Sequence, residues 1–328
     1  MVRQTTDREL ETRLDINRRR KGDPMKKTER YRKLIESRDI LVCPAIYDCF
    51  SAKLAESMGF GAIGISGAGI SNSFLGQPDV GFMNLGDNLT VTRNIVRSVD
   101  IPVTGDADTG YGNAVNVYHT VRLFEETGVV GINIEDQVSP KRCGHLEGKQ
   151  IIPQAEMVKK VEAAVAGRKD PDFLITARTD AATFAGVDEA VKRANAYIDA
   201  GADIVYPDGI LSEDDIKRFV ESVHGPVRIN MGFVIRKRPT TPLISFKTLE
   251  ELGVSVVSFA RMAPAAAIAG MRNAFAVVKE SMERGEVIEK PELVADFKEI
   301  TELMGLPGFL ELENRFLTDE VLKEKYES

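Results

Sequence analysis

Residues 103–135 read VTGDADTGYGNAVNVYHTVRLFEETGVVGINIE, and the order of patterns within them decides the fold. A short β-rich run over 103–106 ends on Asp106, a Gly/Asp-rich turn follows, and a helical pattern over 116–127 stops at Thr127-Gly128. A second β-rich run over 131–135 then ends on Glu135-Asp136. Glycine directly after a helix supplies the left-handed conformation that turns a chain back toward a sheet. Two strands joined through a helix lie parallel, because the crossover returns the chain to the same end of the sheet.

Working outward, the same unit recurs. Further strand patterns lie at 40–44, 62–66, 174–179, 204–206, 227–230 and 256–259, which makes eight. Helical patterns fall at 51–58, 155–166, 187–200, 213–223 and 265–283, and Gly59, Gly201 and Gly253 follow helix ends as Gly128 does. Eight strands alternating with helices over about 250 residues suit a closed barrel or a doubly wound open sheet. Polar residues separate the two, since an open sheet gathers them at one switch point and a barrel at many strand ends. Here nearly every strand is followed by some: Tyr47 and Asp48, Ser66, Asp106 and Asp108, Glu135 and Asp136, Arg178 and Asp180, Asp208, Asn230, Arg261. The expected fold is therefore α/β, a (β/α)8 TIM barrel.

Three segments are expected. Residues 1–27 form a polar N-terminal extension, 28–285 the barrel, and 286–328 a helical tail. The tail reads as a charged helix over 291–304, a break at Leu306-Pro307-Gly308, and an apolar end carrying Phe309, Leu310, Leu312, Phe316 and Leu317. That apolar surface needs a barrel or a neighbouring subunit to cover it.

The formal net charge of -7 argues against general affinity for nucleic acid or anionic membrane, and no apolar run reaches the ~18 residues of a spanning helix. Cys43, Cys49 and Cys143 fit neither a disulfide framework nor paired zinc spacing, so a reducing compartment, the cytoplasm, is expected. Asp7, Glu9, Glu11 and Asp15 argue against reading the Arg-rich N-terminus as a transit peptide.

Asp106 and Asp108, spaced i and i+2 among glycines at a strand end, suit a hard divalent ion that keeps several waters; an Asp/Gly capping turn is the competing reading. Glu135 and Asp136 on the next strand strengthen the metal reading, because clustered carboxylates in a desolvated mouth need a cation or protons. In Lys141-Arg142-Cys143-Gly144-His145 the flanking cations favour a thiolate or hold the thiol beside an anion, and the glycine lets the loop close. Ser66-Gly67-Ala68-Gly69 is an anion cradle or a structural turn. Arg178 either clamps a carboxylate or pairs with Asp180 or another barrel acid. Asn230 donates to the same anion or satisfies the strand end. Together these suit an α-keto or α-hydroxy acid held on Mg2+ while a neighbouring bond breaks to an enolate.

Six stretches together resemble the isocitrate lyase and phosphoenolpyruvate mutase superfamily over about residues 31–283: Ser66-Gly67-Ala68-Gly69, Gly76-Gln77-Pro78-Asp79, Asp106 to Gly112, Ile134-Glu135-Asp136-Gln137, Lys141 to His145, and Ala177-Arg178-Thr179-Asp180. The resemblance implies a barrel enzyme that uses Mg2+, with Mn2+ as a substitute, and a homotetramer whose last helix is swapped between subunits. It implies Asp106, Asp108 and Glu135 as metal-site acids. It implies Ser66, Gly67, Ala68, Asp79, Gly144, His145, Arg178, Asp208 and Asn230 as contacts to a di- or tricarboxylate substrate, and Cys143, His145 and Arg178 as catalytic groups. The implied reaction is carbon–carbon cleavage of a substituted malate-type acid, 2,3-dimethylmalate or 2-methylisocitrate, to pyruvate plus propionate or succinate, with Cys143 as general acid. The alternative on the same scaffold is an oxaloacetate hydrolase or decarboxylase, or a phosphonopyruvate-type enzyme. Three departures bear on the substrate. Members acting on methylisocitrate carry Tyr where Gly64 stands, which passes that hydroxyl's role to Tyr47 or Tyr111. They carry Glu where Asp208 stands, and a different segment where residues 232–239 stand.

Overall fold

The computed structural model describes residues 25–144, 146–232 and 240–326. The expected extension before Met25, His145, and the replaced segment beyond Gly232 lie outside the described residues. Eight strands are present: β1 Leu41–Ile46, β2 Ile63–Ile65, β3 Val103–Asp106, β4 Gly131–Glu135, β5 Leu174–Thr179, β6 Ile204–Pro207, β7 Arg228–Asn230 and β8 Val256–Phe259. They are parallel and ordered β6-β5-β4-β3-β2-β1-β8-β7, and a parallel bridge from Val205 to Val227 brings the two ends together. The barrel expected from the polar strand ends is the one found.

The helices of this unit are α1 Lys27–Glu36, α2 Cys49–Ser57, α3 Gly67–Phe74, α4 Leu85–Ser98, α5 Ala114–Glu125, α6 Gln154–Gly167, α7 Ala182–Ala185, α8 Val187–Asp199, α9 Glu213–Ser222 and α10 Phe246–Glu251. Side-chain caps start many of them: Asp48 with Ser51 at α2, Asn84 with Asp87 at α4, and Asn113 with Asn116 at α5 each satisfy amides left open by the first turn. Gly128 and Gly201 take φ of 89° and 100° at the returns from α5 and α8, where a β-carbon would be strained.

One end of the barrel is sealed. Tyr31, Leu34 and Ile35 of α1 pack with Leu41, Cys43, Ala62, Val130, Leu174, Ile204 and Val256, which lie at or near the strand starts. Burial of this apolar stripe, worth roughly 1.5–3 kcal/mol per large side chain, closes the N-terminal face. Chemistry is thereby left to the C-terminal ends, where the polar residues lie.

The chain divides into compact units through Ala265 and from Ala266, inside the long helix α11 (Met262–Arg284) and earlier than the boundary at residue 286 suggested by the sequence. The second unit continues with a 3-10 turn at Pro291–Leu293, α12 Phe297–Leu303, α13 Leu306–Phe316 and α14 Asp319–Tyr326. Two expectations are corrected here. The charged segment over 291–304 is a turn followed by a short helix that Asp296 caps by accepting from the Glu299 amide. The break falls at Gly305, with φ 90°, whereas Pro307 sits in the first turn of α13, where a missing N–H removes no helical bond. Phe275, Met282, Phe297, Phe309 and Phe316 of this unit are exposed.

Candidate active site

All eight strands contribute to one cavity of about 60 Å³ at the C-terminal face. Its wall includes Ala45, Ile65, Asp106, Asn133, Arg178, Tyr206, Arg228, Asn230 and Ser258 from the strands, with Ser66, Ala68, Asp79, Lys141, Cys143, Gly144, Asp208, Ala260 and Arg261 from the segments after the strand ends. Nine of the expected substrate, metal or catalytic residues are therefore together: Ser66, Ala68, Asp79, Asp106, Cys143, Gly144, Arg178, Asp208 and Asn230. Gly67, Asp108, Glu135 and Tyr47 are not part of its wall.

The acids are held by the protein itself. Lys141 Nζ lies 2.6 Å from Asp79 Oδ1 and 2.9 Å from Asp108 Oδ1. Asp106 accepts from the Gly67 amide at 3.0 Å and the Asp108 amide at 3.2 Å, with Asp108 in the left-handed region at φ 48°. Glu135 Oε2 is 3.4 Å from Arg178 Nε. Burial nonetheless pushes the Asp108 carboxyl up to about 6 and Glu135 well above the usual carboxylate range, with Lys141 opposing the shift at Asp108 and Arg178 opposing it at Glu135. Burial opposes a charged Lys141, yet the surrounding acids hold it well above an ordinary lysine.

Asp106, Asp108 and Glu135 were expected to share an ion. Among the described residues no three acidic, His or Cys side chains converge at ligand distance, and Lys141 is paired to Asp108 at 2.9 Å. The chemistry of the donors still fits a divalent ion. Asp108 Oδ1, Asn133 Oδ1 and Glu135 Oε1 are buried without a hydrogen bond, the Lys141 contact to Asp108 Oδ1 being an ion pair off hydrogen-bond geometry. All three are hard oxygen acceptors, the type that Mg2+ takes while keeping part of its water shell.

Arg178 is an engaged arginine. Its Nε and Nη2 meet the two Asp180 oxygens at 2.9 and 3.0 Å, and Nη2 also meets Asp208 Oδ2 at 2.9 Å. Of the two readings left open by the sequence, pairing with barrel acids is the observed one. Asp180 is in turn fixed by Lys149 at 2.9 Å, and its amide donates to Asp136. Asp136, expected in the mouth, instead accepts from Thr179, Arg193 and Tyr197 at 2.8 to 3.1 Å in the shell behind.

Ser66-Gly67-Ala68-Gly69, read as an anion cradle or a structural turn, forms the start of α3. Ser66 is the N-cap, accepting from the Gly69 amide at 3.1 Å, and the Gly67 amide is spent on Asp106. A β-carbon at residue 67 would stand 2.7 Å from Asp106 Oδ2, so the approach requires glycine. Asn230 Oδ1 accepts from the Ala260 amide at 2.8 Å and from Ser258 at 3.3 Å, satisfying its strand end. Tyr111, one candidate for the missing hydroxyl, accepts from Asn88 and donates to Asp108.

The loop between β4 and α6 descends onto this array. Cys143 is 6 % exposed, its amide donates to the Asp79 carbonyl at 2.9 Å, and Gln137 pins the loop by bonding the Arg142 backbone in both directions. Arg261, in the left-handed region at φ 66°, places Nη2 2.8 Å from Cys143 Sγ. A β-carbon on Gly144 would overlap the Asp208 carboxylate and stand 2.6 Å from Arg178 Nη2. Gly144→Ala is accordingly expected to lift the loop and raise the alkylation rate of Cys143 severalfold, followed by peptide mass spectrometry; an unchanged rate would show that the loop does not depend on this contact.

Arg228 and Tyr206 were not singled out from the sequence. The signal was present for Arg228: in a parallel strand of alternating faces it shares the side of Asn230, whereas Val227 and Ile229 join the outer core.

Eight parallel strands carrying an acid, arginine and thiol array at their C-terminal ends define a barrel of the enzyme type, with its chemistry in the strand-end loops. The family model described as phosphoenolpyruvate phosphomutase matches residues 31–279. The chain belongs to this family, the phosphoenolpyruvate mutase/isocitrate lyase superfamily. It is 38% identical over 294 residues to the 2,3-dimethylmalate lyase of Eubacterium barkeri, covering 90% of this chain and 99% of the relative. It is 41% identical over 285 residues to the 2-methylisocitrate lyase of Aeropyrum pernix, covering 87% and 88%. Among solved structures, oxaloacetate acetylhydrolase with 3,3-difluorooxalacetate matches at TM-score 0.80 and 31% identity over 88% of this chain and 96% of that one. Phosphonopyruvate hydrolase with oxalate and Mg++ matches at TM-score 0.78 and 31% identity over 90% and 100%. No helix among the described residues is long and apolar enough to cross a membrane.

Proposed function

We propose that the protein is a Mg2+-dependent carbon–carbon lyase that cleaves a substituted malate-type acid, 2,3-dimethylmalate or 2-methylisocitrate, to pyruvate and a second carboxylate. The observation that carries this reading is Cys143: a buried thiol on the cavity wall, backed by Arg261 at 2.8 Å. Asp106, Asp108 and Glu135 would hold the ion, which supplies a Lewis acid for the oxygens of the pyruvate half. Ser66 and the Arg178–Asp208 pair line that half. As the C2 hydroxyl gives its proton to a general base and its oxygen becomes the keto oxygen of pyruvate, the C2–C3 bond breaks, its electron pair moves onto the second carboxylate's α-carbon, and the Cys143 thiol gives that carbon its proton. Arg261 stabilises the thiolate left behind. His145 and Tyr47 remain proposed contributors at the rim.

The cavity's small volume supports a second reading, an oxaloacetate hydrolase, because oxaloacetate is a smaller dicarboxylate than either alkyl malate. Purified protein, offered 2,3-dimethylmalate, 2-methylisocitrate and oxaloacetate with Mg2+ or Mn2+ and with a chelator, separates the two. Pyruvate from an alkyl malate, abolished by chelation, supports the lyase; turnover of oxaloacetate alone supports the hydrolase.

The exposed aromatic residues of the second unit support a further part of the proposal, that this unit is covered by a neighbouring subunit in a cytoplasmic homotetramer. Sedimentation equilibrium is expected to return the mass of four chains. A monomer would contradict the arrangement.

A further inference from the structure

Arg228 is 8 % exposed and lines the cavity, yet no carboxylate among the described residues lies within ion-pair distance of it. Arg178 differs, being held by Glu135, Asp180 and Asp208. Arg228 Nε donates to Ser258 Oγ at 3.2 Å, Ser258 donates on to Asn230, and the guanidinium lies 5.3 Å from the Tyr206 ring centroid. A neutral chain thus orients the fork without cancelling its charge. The three ionisable groups that feel it do not cancel it either. Burial pushes the Cys43 thiol up to about 11, against the pull of Arg228, burial with Asp208 nearby holds the Tyr206 phenol well above its ordinary value, and burial likewise raises the Tyr31 phenol. All three are neutral at neutral pH.

Room for the guanidinium comes from Gly64. A β-carbon there would stand 3.5 Å from Arg228 Nη2 and 3.1 Å from Thr104 Oγ1, so a large side chain at this position would take the space that Arg228 fills. Arg261 reaches the same cavity from beyond β8, from a left-handed backbone position that a non-glycine residue adopts at a cost. It likewise has no carboxylate within ion-pair distance among the described residues, and its observed contact is Cys143 Sγ. The buried Arg228 guanidinium lacking a counter-charge is costly, and the Tyr206 π face offsets only part of that. With the half-exposed Arg261 on the same wall, the pair calls for an anion.

We propose that Arg228 and Arg261 form the subsite for the substrate's second carboxylate, the one retained by the leaving acid. For its occupant the proposal rests on the lyase reading above. Negative charge on that carboxylate grows as the carbon–carbon bond breaks, so the two arginines hold the transition state more strongly than the ground state. Arg261 touches both ends of this arrangement, since the thiol that protonates the α-carbon is its neighbour. The subsite selects acids with a carboxylate beyond the pyruvate half.

Calorimetry with Mg2+ present tests this with two probes: oxalate, the size of the pyruvate half, and 3,3-difluorooxaloacetate, which adds a distal carboxylate. Arg228→Gln and Arg261→Gln are each expected to weaken difluorooxaloacetate by about tenfold or more while oxalate changes by less than about twofold, with Arg228→Lys in between. Arg261 lies at a half-exposed position, so its variant carries the test even if Arg228→Gln fails to fold. Equal weakening of both probes, or of neither, overturns the subsite. Pyruvate release by the unmodified enzyme is scored separately. The probe difference without pyruvate from any alkyl malate would leave the subsite standing and remove the lyase reading; pyruvate without the probe difference would do the reverse.

Discussion

Cys143→Ser is expected to lower turnover of an alkyl malate by about 10²–10⁴-fold while leaving the thermal midpoint and substrate affinity nearly unchanged. The thiol lies on the cavity wall with Arg261 Nη2 at 2.8 Å, so its conjugate base is stabilised where the proton is given up. A serine hydroxyl fits the same space but is a far weaker acid, and the arginine cannot make up the difference. Loss confined to kcat would place Cys143 in proton transfer; loss confined to KM would make it a binding contact. An active serine variant would remove it from the chemistry.

Lys141→Met is expected to have the largest effect on stability, about 3–5 kcal/mol in urea unfolding without added metal. The ammonium bridges Asp79 and Asp108 at 2.6 and 2.9 Å, and all three side chains are buried. Methionine matches the stem but leaves two desolvated carboxylates without their cation. Protonation of Asp108, already raised to about 6, relieves part of this as pH falls, so the deficit of the variant shrinks toward acid. A deficit below about 1 kcal/mol would show that the bridge behaves as a solvent-screened surface pair.

Much of the fold was legible because parallel barrel strands are buried on both faces and read as short apolar runs. β3, β4, β5 and β8 fall at the expected residues. What escaped was structure that tertiary contacts impose against local preference. Two glycines and a serine made the start of α3 read as a turn, and only Asp106, far along the chain, explains why Gly67 must be glycine there. α4 was missed because the face it buries carries the polar Asn88 and Thr92 beside Ile95 and Val96, which interrupts the apolar stripe in the sequence. At the site, the acids and the thiol were visible as residue types at strand ends, whereas their pairing was not. That Lys141 would lie between Asp79 and Asp108, or that Arg178 would be spent on Asp180 and Asp208, depends on which strand ends the closed barrel brings together. Arg228 was passed over because a cation inside a short strand pattern gives no local hint of a missing partner.

Cleavage in D2O tests the central claim most directly. Protein with Mg2+ and 2,3-dimethylmalate or 2-methylisocitrate, followed by NMR, is expected to give pyruvate together with propionate or succinate carrying one deuteron at the carbon that was bonded to C2. Absence of pyruvate from both acids, with oxaloacetate or phosphonopyruvate consumed instead, would contradict the account.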